Sequence, residues 1–93
     1  MRTIDRPHIF KRDYKREEKG PHRKTLDDLL VNVLRALVND QALAQRYRDH
    51  DLTGDWAGYR ECHLKPDLLL IYRKLGEKSL ILVRLGSHSE LFG

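Results

Sequence analysis

Cysteine occurs once, at Cys62, so no internal disulfide can form, and neither a CxxC pair nor a dense Cys/His cluster is present. That usage fits a reducing cytoplasm better than an oxidising compartment. No apolar run approaches the roughly 20 residues that a membrane span needs. The N-terminus is polar and charged from Arg2 onward, which leaves no secretory signal to read and sets the expectation of a cytoplasmic protein. Internal repeats and low-complexity tracts are also lacking. What remains is 93 residues with 40% hydrophobic and 34% charged side chains, the profile of a single globular domain, 1–93, with one core and little room for a separate cofactor domain.

The charge is unevenly placed. Residues 1–24 hold nine Lys/Arg against four Asp/Glu, whereas residues 25–93 hold nine against ten. A cationic N-terminal segment attracts polyanions through counterion release, which favours nucleic acid as a partner without specifying a sequence, although a solvated basic helix face would have the same composition.

Residues 1–5 suit a short edge strand. From Pro7 to Lys19, the apolar residues Ile9, Phe10 and Tyr14 form a narrow stripe, and Lys11, Arg12, Lys15, Arg16 and Lys19 fill the other faces, which predicts a helix with a basic surface. Gly20-Pro21 ends it, with Gly20 expected in a left-handed cap. Thr25 and Asp28 form a capping-box-like start to a second helix. Leu26, Leu29, Leu30, Val33, Leu34 and Leu37 give that helix one apolar face, ending near Asn39. Residues 41–46 allow one more helical turn, and Gly54, Trp56 and Gly58 mark an irregular loop. Residues 59–64, 68–72 and 80–85 read as three consecutive antiparallel strands. The expected fold is α+β in the order β-α-α-β-β-β, with a two-helix hairpin on one face of a small, mainly antiparallel sheet.

His50, His63 and His88 lie in short polar contexts among Asp49, Glu61, Asp67, Arg60 and Arg84. Imidazoles titrate nearest to neutrality, so such a group can supply both a proton acceptor and a proton donor. Cleaving RNA without a metal needs that pair: a base for the ribose 2′-OH, an acid for the departing 5′-oxygen, and cations for the phosphoryl oxygens. A three-residue hairpin loop at 64–66 would set His63 opposite Asp67, while a two-residue loop at 65–66 would pair His63 with Leu68; the catalytic reading expects the longer loop. The spacing of the three histidines matches no closed zinc motif, so neither a metal nor a cofactor is expected. Cys62 should face the core, opposite its neighbours Glu61 and His63. Trp56 and Tyr59 read as plugs over the sheet end, with stacking surfaces for bases as the less favoured alternative. Phe92, beside the last residue, has little core to fill and suits stacking on a base.

Four stretches, Tyr47-Arg-Asp-His-Asp-Leu, Gly54-Asp-Trp-Ala-Gly-Tyr-Arg-Glu-Cys-His, Pro66-Asp-Leu-Leu-Leu-Ile-Tyr and Leu85-Gly-Ser-His-Ser-Glu-Leu-Phe, together resemble the YafQ branch of the RelE superfamily of bacterial toxins. The resemblance implies a RelE-like fold and a ribosome-dependent endonuclease that cuts messenger RNA in the ribosomal A site and is restrained by a cognate antitoxin. It places the functional positions on His50, His63, Asp67, His88 and Phe92. By that analogy His50 and His63, supported by Asp67, form the base side, His88 is the acid, and Phe92 orients a base. Arg60 and Arg84 are candidates for phosphate contacts from charge and placement. Lys11, Arg12, Lys15, Arg16 and Lys19 would dock on ribosomal RNA. This chain departs from the family pattern at Asp51, where Pro often follows the first histidine, and at Leu68, where Trp often follows Pro-Asp. A non-catalytic basic module on the same fold, binding RNA or an antitoxin, is the alternative.

Overall fold

The computed structural model describes all 93 residues. In chain order it forms β1 (Thr3–Asp5), α1 (His8–Glu17), α2 (Leu26–Val38), β2 (His50–Asp51), β3 (Arg60–Lys65), β4 (Leu68–Leu75), β5 (Ser79–Gly86) and α3 (His88–Phe92), with single 3₁₀ turns at Gln45–Tyr47 and Gly54–Trp56. The sheet order is β1-β5-β4-β3-β2; β1 runs parallel to β5 and the other pairs are antiparallel. The expected β-α-α-β-β-β order is present, with β2 and α3 in addition.

One face of the sheet carries the main core. Leu26, Leu30, Val33 and Leu37 of α2 are buried there with Phe10 of α1 and Cys62, Leu64, Leu68, Leu70, Tyr72, Leu80, Leu82 and Leu85 of the strands. Each fully buried leucine contributes roughly 1.5–3 kcal/mol, so the periodic leucines of α2 and the alternating ones of the strands select this packing over any other. Cys62 is fully buried, as its place on β3 predicted, and burial pushes its thiol well above the ordinary range. Thiol reagents should therefore leave the folded protein untouched, and the rate of Cys62 modification should follow global unfolding as urea is raised; fast labelling in native buffer would contradict this packing.

Several local expectations are corrected. Ile9 is half exposed, and the inward face of α1 instead presents Phe10, Asp13 and Glu17. Thr25 makes no side-chain cap on α2. Gly20 does not adopt a positive φ; the chain leaves α1 through tight turns in which the Lys19 and Gly20 amides donate to the Arg16 and Glu17 carbonyls.

The buried acid has a structural cause. β1 pairs with β5 only as far as Ile81, so the outer edge of β5 beyond it needs other partners. Helix α1 supplies them: Asp13 Oδ2 accepts the Leu85 amide at 3.0 Å, and Arg16 Nη2 donates to the Leu85 carbonyl at 2.6 Å. Two side chains one helical turn apart thus substitute for a neighbouring strand.

Candidate active site

The other face of the sheet carries a smaller apolar cluster of Leu69, Ile71 and Leu91, with Leu52, Trp56, Tyr59 and Val83 packed against it. Trp56 meets Tyr59 and Phe92 edge-on, with ring centroids 5.5 and 5.9 Å apart, so the expected plugs also brace the C-terminal aromatic. Helix α3 is held there by Leu91 and by a capping box, in which the Glu90 amide donates to Ser87 Oγ and the Ser87 amide donates to Glu90 Oε1. The bond from the Ser87 amide holds the Glu90 carboxyl below its ordinary value despite partial desolvation.

Strand pairing brings the histidines together beside this platform. β2 is only two residues long, but it sets His50 opposite Glu61, and Glu61 lies opposite Ile71 on β4. Directly paired residues share a face, so His50 and Glu61 project to the same side as the small cluster. His63, two residues along β3, joins them opposite Leu69. Neither anticipated hairpin register occurs. Lys65 pairs with Leu68 across a Pro66-Asp67 turn, and a bulge between His63 and Lys65 absorbs the extra residue. Asp67 is thereby carried to the tip of the turn.

The three imidazoles form a continuous row. Ring centroids are 6.2 Å apart for His50 and His63 and 6.1 Å for His63 and His88, and Phe92 follows at 5.9 Å from His88. Glu61 serves one end. Its carboxylate is almost fully buried, with Oε2 at 3.1 Å from His50 Nε2 and 3.8 Å from His63 Nε2, while Oε1 has no partner in the protein. The opposite nitrogen of each ring faces a carbonyl, His50 Nδ1 at 2.6 Å from Arg48 O and His63 Nδ1 at 3.3 Å from Pro66 O. A carbonyl only accepts, so each Nδ1 is placed to donate its proton there, and each Nε2 is the nitrogen turned toward Glu61.

Asp67 serves the other end. It was expected to support His50 and His63 but instead accepts the His88 backbone amide at 3.0 Å and lies 3.5 Å from His88 Nδ1. The bond from that amide, followed by the ring itself, holds the Asp67 carboxyl below its ordinary value. His88 Nε2 is left free at the surface. Glu61, considered only among the nearby carboxylates, is the residue of this cluster that sequence reasoning left out of its candidate set. Its position two residues before His63 on an alternating strand was the available signal. His50, Glu61 and His63 could together hold a metal ion, because one ligand atom from each lies within 4.8 Å of the others.

The structure does not bring the two candidate arginines into this row. Arg60 projects to the helix-covered face with its pairing partner Tyr72, donates to the Tyr72 hydroxyl at 3.2 Å, and forms ion pairs with Asp49 at 3.1 Å and Asp51 at 2.6 Å. The departure at Asp51 is thus absorbed by Arg60. Arg84 is drawn to Asp13, with Nε at 2.7 Å from Oδ2. Arg16 is likewise committed, to Asp13, Glu17 and Glu90, whereas Lys11, Arg12, Lys15 and Lys19 remain exposed along α1 without ion pairs. No helix is long and apolar enough to cross a membrane.

Comparison with known proteins gives a consistent result. The family described as "Bacterial toxin of type II toxin-antitoxin system, YafQ" matches residues 2–93. The chain is 37% identical over 93 residues to the mRNA interferase toxin YafQ of Escherichia coli K12, spanning all of this chain and 98% of that one. The crystal structure of E. coli BL21(DE3) YafQ superposes with a TM-score of 0.85 at 35% identity, covering 100% of both chains. The YafQ chain of the E. coli DinJ-YafQ complex does so with a TM-score of 0.80 at 34% identity, covering 100% of both. With the family model spanning residues 2–93 and both sequence and fold matched along the whole chain, this chain belongs to the YafQ family of bacterial type II toxins.

Proposed function

We propose that the chain is an endoribonuclease toxin that cuts messenger RNA in the ribosomal A site, by metal-independent acid–base chemistry. The observation that carries this reading is the unbroken row of three imidazoles, with a carboxylate fixing each end and one exposed aromatic ring beyond it. In the mechanism, Nε2 of His63, backed by Glu61 and His50, takes the proton of the ribose 2′-OH. The 2′-oxygen attacks the adjacent phosphorus, the bond to the 5′-oxygen breaks, and His88, oriented by Asp67, donates a proton to that leaving oxygen. The products are a 2′,3′-cyclic phosphate and a 5′-hydroxyl. Phe92, exposed yet braced by Trp56, offers a face for the neighbouring base. Lys11, Arg12, Lys15 and Lys19 supply the docking charge for ribosomal RNA; Arg16, neutralised by three carboxylates, contributes little of it.

E. coli YafQ is named an mRNA interferase toxin and is found in complex with DinJ, which supports a cognate antitoxin as this chain's protein partner. A partnership with ribosomes would place the chain in the cytoplasm.

In vitro translation of a defined message should yield cuts at A-site codons, with 5′-hydroxyl ends on the downstream fragments. Ribosomes that stall without any cut ends would favour the non-catalytic module instead. Stripping transition ions with a selective chelator, with Mg²⁺ retained for the ribosome, should leave the rate unchanged, and loss of cutting would overturn the metal-independent mechanism. Added zinc(II) should inhibit, since ligation by His50, Glu61 and His63 occupies the nitrogens that exchange protons.

A further inference from the structure

Beside His63 lies a concavity of about 400 Å³, rimmed by Arg46, Arg48 and Lys65 over a floor that includes Leu29, Leu64 and Pro66. We propose that it is a subsite for a phosphate of the message next to the one that is cut. This inference rests on the nuclease reading and extends it by assigning where the strand continues.

Three observations carry it. The first is uncommitted charge. Arg16, Arg60 and Arg84 are each neutralised by carboxylates, whereas no carboxylate pairs with Arg46, Arg48 or Lys65. Three unpaired cations around one hollow repel each other, and an anion seated among them relieves that repulsion. The second is preorganisation. The Arg46 guanidinium stands 4.9 Å from the centroid of the Tyr47 ring and donates to its hydroxyl at 3.0 Å, and Tyr47 itself is buried. Arg48 has a left-handed backbone, φ 48° and ψ 44°, a conformation that strains a non-glycine residue. That conformation lets its carbonyl fix the His50 ring while its side chain turns to the concavity.

The third is continuity. His63 forms part of the wall, so a strand whose scissile phosphate sits among the imidazoles has this hollow beside it. The apolar floor lowers the local dielectric and strengthens each cation–phosphate contact. An acidic protein segment would meet the same charges. RNA is favoured because His63, a member of the imidazole row, also lines the hollow.

The test is binding to ribosomes programmed with a message whose A-site codon carries 2′-O-methyl groups and cannot be cut, compared with ribosomes whose message ends at the P site. Arg48→Asn, which tolerates the left-handed backbone, and Lys65→Gln should each weaken binding to the first about fivefold and lower its salt dependence, with no change on the second. Equal affinities on the first ribosomes, or equal losses on both, overturn the subsite. Variants that keep the message contact and lose affinity for an antitoxin assign these cations to the protein partner and overturn it too. Wild type is assayed in parallel on unmodified message: failure to cut there sinks the nuclease reading itself, and so is distinguishable from failure of the subsite alone.

Discussion

His88→Ala should slow message cleavage by about 10²–10⁴-fold, the usual contribution of a positioned general acid. The residue-specific part of this prediction lies in how the loss can be repaired. His88 Nε2 is exposed and unbonded while Asp67 holds the backbone and Nδ1 side, so the free nitrogen is the one placed to protonate the departing 5′-oxygen. A message with a bridging 5′-sulfur at the cut leaves as a thiolate and needs no proton. On that substrate His88→Ala should regain most of the lost rate. His63→Ala, which removes the proton acceptor beside Glu61, should stay slow on both messages. If the sulfur substrate fails to rescue His88→Ala, the acid lies elsewhere in the row. Asp67→Asn should act as a positioning change, lowering the rate less than His88→Ala on the natural message and being rescued in parallel with it.

Asp13→Ala should cost about 3 kcal/mol, toward the lower end for breaking a buried ion pair because both cationic partners keep some access to water. Asp13 is 3% exposed, and its carboxylate binds Arg84, Arg16 and the Leu85 amide together. For a domain of this size that corresponds to a fall of roughly 12–24 °C in Tm. Thermal and urea denaturation would measure it, and a loss below 1 kcal/mol would mean the network is dispensable. The pH dependence has a definite sign. Burial alone would raise the Asp13 pKa, but the hydrogen bonds from Arg84 and Leu85 and the charges of Arg84 and Arg16 outweigh it and leave it lowered. A carboxylate with a depressed folded pKa contributes its stability above the unfolded value, about 3.9, and loses it as the pH falls through the folded value. Acid unfolding below about pH 4 should therefore be blunted in Asp13→Ala relative to wild type.

The parts of this molecule that could be read from its residues are those governed by local periodicity. The leucines of α2 repeat at helical spacing and the three long strands alternate or run apolar, so their existence and order followed from hydrophobic pattern. Asp13 and Glu17 could not be placed by the same rule, since an acid is buried only when a partner distant in sequence neutralises it. The two residues of β2 carry no pattern of their own, and their strand character comes from β3 alone. Helix α3 is too short for periodicity, although Ser87 and Glu90 held the spacing of its capping box in plain view.

At the site, the imidazoles and Phe92 were legible as chemistry and through family likeness. Their pairing with carboxylates was not. Asp67 went to His88 because a bulge shifted the hairpin, and Glu61 took the place at His50 and His63 that had been given to Asp67. Arg60 and Arg84 were assigned by charge alone, and charge does not say which acid lies nearest after folding.

The outermost strands of the sheet are three and two residues long, and the bare margin of β5 is already occupied by side chains of α1. On the β1 and β5 side, a stray polypeptide seeking to extend the sheet therefore finds little free backbone to zip onto, whereas β2 covers only Arg60 and Glu61 of β3 on the other side. Strand-by-strand self-assembly is thereby blunted at the β5 margin, and a protein gripping that margin must do so chiefly by side-chain surfaces instead of by adding a long strand of its own.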